Sequence, residues 1–535
     1  MHIRYASVAC ATFLLLVGCK KTPAGGEFKG DMPPLEPETV LRVHWIGKKQ
    51  LAIDGSAFYF NRIWDLEETR ALENTALNAL AEAPWRFRGE EASLATPPVL
   101  SCRALLEALK YEEWYLEIRT PNGSDAQLVL AVRLSEERDS AWQSNVAMIV
   151  SSLMGASPVS SRAESLGWWA IVPHTKDRMQ MVRHGEWTVF SIAPDKAEFP
   201  RKILEHIDRK PNPFGATNRW LRADVNLNRV AQCLGRTDFF SGDPIVSLSL
   251  SGDGANVFTD VTVTFSEPLP GSIEPWELPG ELIHEPLTSF AAARGIRPLL
   301  SQWAWWKAMP LGEPPNQMFA WSVRGSPFQV YLAGPMPEAE ARMARLAEQL
   351  LTRVNPWLTN NGPSIGDSGV PLFEQVDGGK GVRWNIPGVW PFVTSVAAGG
   401  GRSFLMAGLT PENSPGKPMA ARRFQEVLAR TNLVYFEWES TPARLNDWLP
   451  VLQTTRVLAH RAPLPDECQS LKWMTALQHR LAEAETAVYR TAPNRLELHR
   501  KSTIGLTAAE LHLLADWFES PRFPAGLHTF VAPPP

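Results

Sequence analysis

Residues 39–524 are predicted to fold as an α+β protein of two tandem similar halves, on three observations. Short runs of alternating apolar and polar residues are joined by turn-rich loops, which implies antiparallel strands and hairpins. Segments with helical spacing stand between those strand pairs and are expected to pack on one sheet face. The same order of elements then occurs a second time, which divides the chain into halves at 39–270 and 271–524.

In the first half, WYLEIR (114–119) and QLVLAVRL (127–134) form a strand pair across the turn-rich PNGSD, and a helix follows from Glu136 to Met154. GWWAIVP and EWTVFSIAP precede a helix near 196–208 and the strand WLRADVNL (220–227). The hairpin IVSLSLSG with NVFTDVTVTF (245–265) closes the half. In the second half, QMFAWSVR (317–324) and FQVYLAGP (328–335) lead into a helix over 337–354, at an offset of about 202 residues. That helix places Met343, Leu346, Ala347, Leu350, Leu351 and Val354 on one face, opposite Glu and Arg. VRWNI, PFVTSVAA and SFLMAGLTP precede a helix near 417–429 and the strand NLVYFEWES (432–440), now at an offset near 213. The hairpin of TAVYRTAP with RLELHRKS (486–502) closes this half as well. Thr507-Ala-Ala-Glu510 has the spacing of a capping box and opens a last helix carrying Leu511, Leu514, Ala515 and Phe518. Another helix starts at Ser440-Thr441-Pro442, an N-cap residue followed by proline in the tolerant first turn.

The amino terminus carries a different signal. His2 and Arg4 precede an apolar run from Ala6 to Val17, about a dozen residues. A spanning helix needs roughly 20, and a short apolar run behind a basic start is the pattern of an export signal. The run ends Leu16-Val17-Gly18-Cys19, which resembles the lipobox of bacterial lipoproteins. That resemblance implies a signal peptide of residues 1–18, cleaved before Cys19, with diacylglycerol on the Cys19 sulfur and an acyl group on the freed amine. Two or three acyl chains make a stable membrane anchor. The family's inner-membrane retention residue is Asp after the cysteine. Lys20 stands there instead, so the implied address is the bacterial cell envelope, at the outer membrane facing the periplasm. Residues 19–38, rich in Pro, Gly and charge, form a flexible tether that spans on the order of 25 Å. Residues 525–535 form a Pro-rich tail.

Composition narrows the function classes. The 535 residues are 44% hydrophobic and 21% charged, an ordinary globular balance. The 53 basic and 57 acidic residues are dispersed, for a formal charge of −4, which argues against a nucleic-acid partner. Beyond Cys10 and Cys19, the three cysteines Cys102, Cys233 and Cys468 allow at most one disulfide and lack metal-ligand spacing. No metal or cofactor is expected. The body must therefore hold by packing, for which it has ample length.

Several strings imitate catalytic motifs. Gly366-Asp367-Ser368-Gly369 looks like the sequence around the nucleophile of chymotrypsin-type serine proteases. The nearest preceding histidine, His284, sits in ELIHEPL rather than that family's Ala-Ala-His-Cys, and Val370 replaces its next glycine. The surrounding NNGPSIGDSGVP is turn chemistry. Ser414-Pro-Gly-Lys417 has the spacing of penicillin-recognising enzymes, but Pro415-Gly416 makes it a loop. Gly378-Gly379-Lys380 lacks the remaining P-loop residues. Trp303, Trp305 and Trp306 form either a stacking platform or part of a core, and Trp168-Trp169 pose the same choice.

One constellation offers a candidate binding site. Alternation in VYFEWES puts Tyr435, Glu437 and Glu439 on one face of a strand. At the 213-residue offset Arg222, Asp224 and Asn226 stand at the corresponding positions, and RLELHRK adds Glu497 and His499. Two carboxylates beside an aromatic on one sheet face suit acid–base work on a sugar-like substrate. The competing account is a solvated sheet face. The expectation is an exported, lipid-anchored protein with a binding or structural role and a membrane contact through Cys19, partnered by an envelope protein or a glycan. The alternatives are an envelope hydrolase acting on glycans, with Glu437 and Glu439 first, and a solute-binding lipoprotein holding ligand between the halves.

Overall fold

The computed structural model describes residues 35–525, apart from 89–96, 122–125, 162–166, 173–176, 210–211, 216–218, 234–241, 326, 362–368, 387–388, 412–415, 420–422 and 459–462. Cys19 and its lipobox, most of the tether, nearly all of the tail, Ser368 and Ser414 therefore lie outside the described residues.

The protein is a mixed α+β fold whose described strands join in one 20-stranded antiparallel sheet. In chain order the first ten are β1 Thr39–Trp45, β2 Trp114–Arg119, β3 Gln127–Arg133, β4 Val159–Ser161, β5 Gly167–Ile171, β6 Asp177–His184, β7 Trp187–Pro194, β8 Leu221–Asn226, β9 Ile245–Gly252 and β10 Val257–Thr264. They are followed by β11 Leu287–Arg294, β12 Gln317–Val323, β13 Val330–Pro335, β14 Phe373–Val376, β15 Gly381–Trp384, β16 Phe392–Ala398, β17 Arg402–Gly408, β18 Leu433–Ser440, β19 Glu483–Ala492 and β20 Arg495–Ser502. Pairing runs 4-5-6-7-3-2-1-8-9-10 across the first ten. It continues 20-19-18-11-12-13-17-16-15-14 through the rest. A seam of β10 against β20, from Val257↔Ser502 to Thr264↔Arg495, joins the two stretches.

Because side chains alternate along a strand and cross-strand neighbours share a face, the register fixes the facing of every residue. One face runs Leu116–Val43–Ala223–Leu248–Val261–Leu498–Val488–Tyr435–Ala293. The other runs Tyr115–His44–Arg222–Ser249–Asp260–His499–Ala487–Phe436–Ala292.

Helices cover both faces around β2 and β3, not one as expected. Trp142, Val146 and Val150 of the helix Glu136–Met154 pack with Leu116 and Ile118. Phe199, Ile203 and Ile207 of Glu198–Arg209 pack with Tyr115, Val129 and Ala131 on the opposite side. The reason is that β2 is buried at all six positions, so neither side is left polar enough to face water.

Other elements depart locally from expectation. The helix predicted over 337–354 is Ala339–Gln349 followed by a wider turn, Leu350–Val354, and then Asn355–Asn361. Met343, Leu346 and Ala347 are buried as its periodicity requires. Within 417–429 the described helix is only Gln425–Leu428. The strand β6, DRMQMVRH, is an addition whose signal is the alternation of buried Met179 and Met181 with Arg178 and Gln180.

The unpredicted helix Glu67–Arg88, which contains Pro84, packs on Gln469–Gln478 far along the chain. Trp473 Nε1 donates to Thr69 Oγ1 at 3.1 Å, and Tyr59 Oη donates to the Arg480 carbonyl at 3.0 Å. Helices Thr441–Leu458 and Ala508–Phe518 complete this cluster through Leu445, Leu452, Leu511 and Ala515.

Candidate functional site

Tyr435, Glu437 and Glu439 share one face of β18, and His499 stands on the other. The register shows it: Glu437 lies across from Thr486, which faces Arg500, whereas His499 lies across from Ala487, the partner of Phe436. Arg222 and Asp224 are likewise on the His499 face. Asp224 pairs Ser247, then Thr262, then Glu497, while Glu437 connects through Thr486, Arg500, Thr259 and Leu250 to Leu221. The strand-to-helix junctions Asn226/Leu227 and Ser440/Thr441 differ by 214 residues rather than 213. That single-residue difference moves the whole set to the opposite face.

Glu439 is 3% exposed, so this end of the strand is not a solvated face. Its Oε1 accepts the Thr441 hydroxyl at 2.9 Å and the backbone N–H of Ala508 at 2.8 Å. Ala508 is the first residue of the last helix, whose capping box is present: Thr507 Oγ1 accepts from Glu510 N–H and the Glu510 carboxylate accepts from Thr507 N–H. Glu439 thus satisfies an orphan amide of a helix terminus and docks that helix on the sheet. Burial, then the nearby Glu437 charge, hold its carboxyl above the usual range despite the hydrogen bond from Ala508. Glu437 accepts the Tyr435 hydroxyl at 3.1 Å, and burial beside that carboxylate pushes the Tyr435 phenol up. Arg500 completes the layer: it donates to Thr486 Oγ1 at 2.7 Å and to Glu510 at 2.5 Å.

A pair of variants separates acceptor from charge at Glu439. Glu439→Ala strips the acceptor from a buried amide and a hydroxyl and is expected to cost about 2–3 kcal/mol. Glu439→Gln keeps the acceptor and is expected to match or exceed the native stability at pH 7. The native pKa is raised, so the folded state binds the proton more tightly than the unfolded state. Stability from this group is complete below the unfolded carboxyl value and is lost as pH rises through the folded one. Glu439→Gln lacks that dependence, so its advantage should vanish as pH falls. Denaturation of both variants at pH 7 and near pH 4 tests this, and equal losses for Gln and Ala would refute it.

His499 belongs to a partly buried polar row at the seam. Its Nδ1 lies 3.4 Å from Asp260 Oδ1, and Asp260 Oδ2 accepts Arg219 at 2.9 Å. Arg219 also donates to Ser249 Oγ at 2.8 Å. In the neighbouring row sequence reading named Asp224 but missed its partners: Arg42 Nε meets Asp224 at 2.5 Å, Asp224 accepts Ser247 at 2.6 Å, and buried Glu117 accepts Tyr115, Thr39 and Arg119. Its signal was present in the alternation of Tyr115, Glu117 and Arg119 along β2.

Elsewhere, a cleft of about 690 Å³ is walled by Lys48, Asp65, Arg70, Glu73, Lys110 and Glu112. Its charges are largely paired with one another: Lys48 and Arg70 with Asp65, Lys110 with Glu73, Arg138 with Glu112. Trp306 is buried and donates to the Gly312 carbonyl, Trp303 is 42% exposed, and Trp168 belongs to the core. Cys102, Cys233 and Cys468 stand in no disulfide among the described residues, and burial pushes Cys102 up to about 11. No group of three potential metal ligands occurs among the described residues, and none of their helices is long and apolar enough to cross a membrane.

No family model and no curated protein matches the chain. Two solved structures, crystal forms III and IV of TP0453, are similar at 7% identity and a TM-score of 0.23. The first likeness covers 44% of this chain and 82% of that one, the second 42% and 76%. At that score the likeness supports no statement about this fold.

Proposed function

We propose that the protein is a lipid-anchored component of the bacterial cell envelope with a binding or structural role, built from two copies of a ten-strand unit. The observation that carries the role is the use of the suspected acid pair. Glu439 is buried against the start of the last helix and serves the architecture, while Glu437, at the margin of the sheet's apolar face, is engaged by Tyr435, so the two carboxylates are put to different uses. The duplication is supported by strand order: adding ten to each label turns 4-5-6-7-3-2-1-8-9-10 into 14-15-16-17-13-12-11-18-19-20, the order found. The two units then meet through their last strands in antiparallel pairing, an isologous arrangement. Continuous strand pairing at that seam favours a rigid platform over a ligand cleft between halves.

The anchor is carried by Leu16-Val17-Gly18-Cys19. Cys19→Ala is expected to abolish labelling by radioactive palmitate and to move the protein from the membrane to the soluble fraction. Retention of the unlabelled variant on membranes would overturn the anchor.

A further inference from the structure

The sheet carries an apolar area on the Tyr435 face that solvent reaches. Across β18, β11, β12 and β13 the register sets Glu437, Ala291, Ala320 and Leu332 side by side, with Tyr435 and Met318 in the adjacent row. Leu332 is 38% exposed and the others are partly exposed. On the reverse face the same strands bury Phe290, Phe319, Trp321, Tyr331 and Phe436 almost completely. An antiparallel sheet with one wet face alternates apolar and polar residues. Here Ala291, Ala293, Met318, Ala320 and Leu332 make the middle of the open side apolar, with Ser289, Tyr435 and Glu437 at its edge, the composition of a face meant to be covered. Two helices bound it: Thr441–Leu458 packs against β11, and Ala339–Gln349 packs against β16 and β17.

The other unit shows what covers this face. Its counterparts of β11, β12 and β13 are β1, β2 and β3, and their same-side residues Leu41, Val43, Leu116, Ile118 and Val132 lie in a core with helix residues. One contributor is the helix Val99–Tyr111, laid over the ends of β1 and β2: Trp45 and Trp114 donate to its carbonyls at Lys110 and Leu109, at 3.1 and 2.7 Å. That helix lies in the segment between β1 and β2. Between β11 and β12 the chain supplies only the short helices Arg297–Leu300 and Ala304–Ala308. Glu136–Met154, the other helix over this face, has its counterpart in Ala339–Gln349, but Val99–Tyr111 has no equivalent of its length.

We infer that this face is a docking groove for an amphipathic α-helix of a partner protein, seated as Val99–Tyr111 is seated in the first unit, with a Lys or Arg reaching Glu437. Charge complementarity argues for the basic residue. The Glu437 carboxylate is partly buried and accepts the Tyr435 hydroxyl, and among the described residues no cation lies within 4.0 Å of it in an ion pair. A half-desolvated carboxylate with a neutral partner gains from an incoming cation. The helix reading follows the way proteins bury an amphipathic face in a groove. This inference rests on the duplication and on the binding role proposed above.

The test uses the full lipidated chain in intact envelopes, with the photocrosslinker p-benzoylphenylalanine in place of Leu332 or, in a second version, of Ala320. The expected result is an adduct to one protein, whose crosslinked peptide is an amphipathic helical segment containing Lys or Arg. In Glu437→Lys the yield should fall by about tenfold or more. Leu332→Asp, with the crosslinker at position 320, should do the same, and unchanged circular dichroism certifies that both variants fold. Adducts only to lipid or glycan, no adduct, or yields indifferent to Glu437→Lys and Leu332→Asp would each overturn the docking groove. If any of these occurs while membrane retention still depends on Cys19, the groove alone fails and the anchored envelope role stands.

Discussion

Asp516→Ala is expected to destabilise the protein by about 3–5 kcal/mol, a large share of the 5–15 kcal/mol that holds a native protein together. Asp516 is fully buried, and Arg456 is 2% exposed. Arg456 Nη1 donates to Asp516 Oδ1 at 2.9 Å and so ties the helix Thr441–Leu458 to Ala508–Phe518. Removing the carboxylate takes this anion from a guanidinium that is itself almost fully buried. The Coulombic gain of a buried pair barely exceeds its desolvation cost, so losing one partner keeps most of the cost and forfeits that gain. The double variant Arg456→Met with Asp516→Leu should therefore recover most of the loss. Urea denaturation of the two single variants and the double measures it. A loss under about 1 kcal/mol for Asp516→Ala would show that the pair does not brace these helices.

Val261→Pro is expected to be worse, with the sheet on both sides of the seam losing its native structure. Val261 is 5% exposed at the middle of β10, paired to Leu248 on one side and Leu498 on the other. Proline in a central strand deletes a ladder hydrogen bond and fixes φ near −65°, which is why sheets confine it to edge strands and bulges. Here the lost side chain also opens the core where Leu248 and Leu498 meet. Because β10–β20 is the strand pairing that joins the two stretches of sheet, both β9 and β19 should lose amide protection in hydrogen exchange. Thr264→Pro, at the exposed end of the same strand, serves as the comparison and should be tolerated far better. Protection surviving in β19 after Val261→Pro would mean that the second stretch folds without the seam.

Much of the architecture was legible because it is local. The helix Glu136–Met154 came out at its predicted ends, and its first turn carries Glu136, Glu137 and Asp139, which favour a helix start. Both closing hairpins follow from alternation and short turns. The capping box at Thr507 follows from a three-residue spacing. The strand β6 was missed although its signal is local, whereas the missed helix Glu67–Arg88 is held by partners distant in sequence. Glu67–Arg88 gains its place from Trp473 and its neighbours some 400 residues later, and nothing between positions 67 and 88 encodes that contact.

The candidate site shows the same division at single-residue scale. Alternation by itself determined that Tyr435, Glu437 and Glu439 face one way and that Phe436 and Trp438 face the other. Period two yields relative facing only. The identity of each side was decided by pairing, through a register that runs from Leu221 to Glu437 across five intervening steps and leaves His499 on the opposite face. Burial was decided one level higher still. Glu439 lies dry because the last helix brings the Ala508 amide onto it, while Glu437, two residues earlier, stays at the margin of an apolar floor that solvent reaches. Local chemistry chose the strands and their two faces, and long-range packing chose which carboxylate would be a strut and which would be left facing outward.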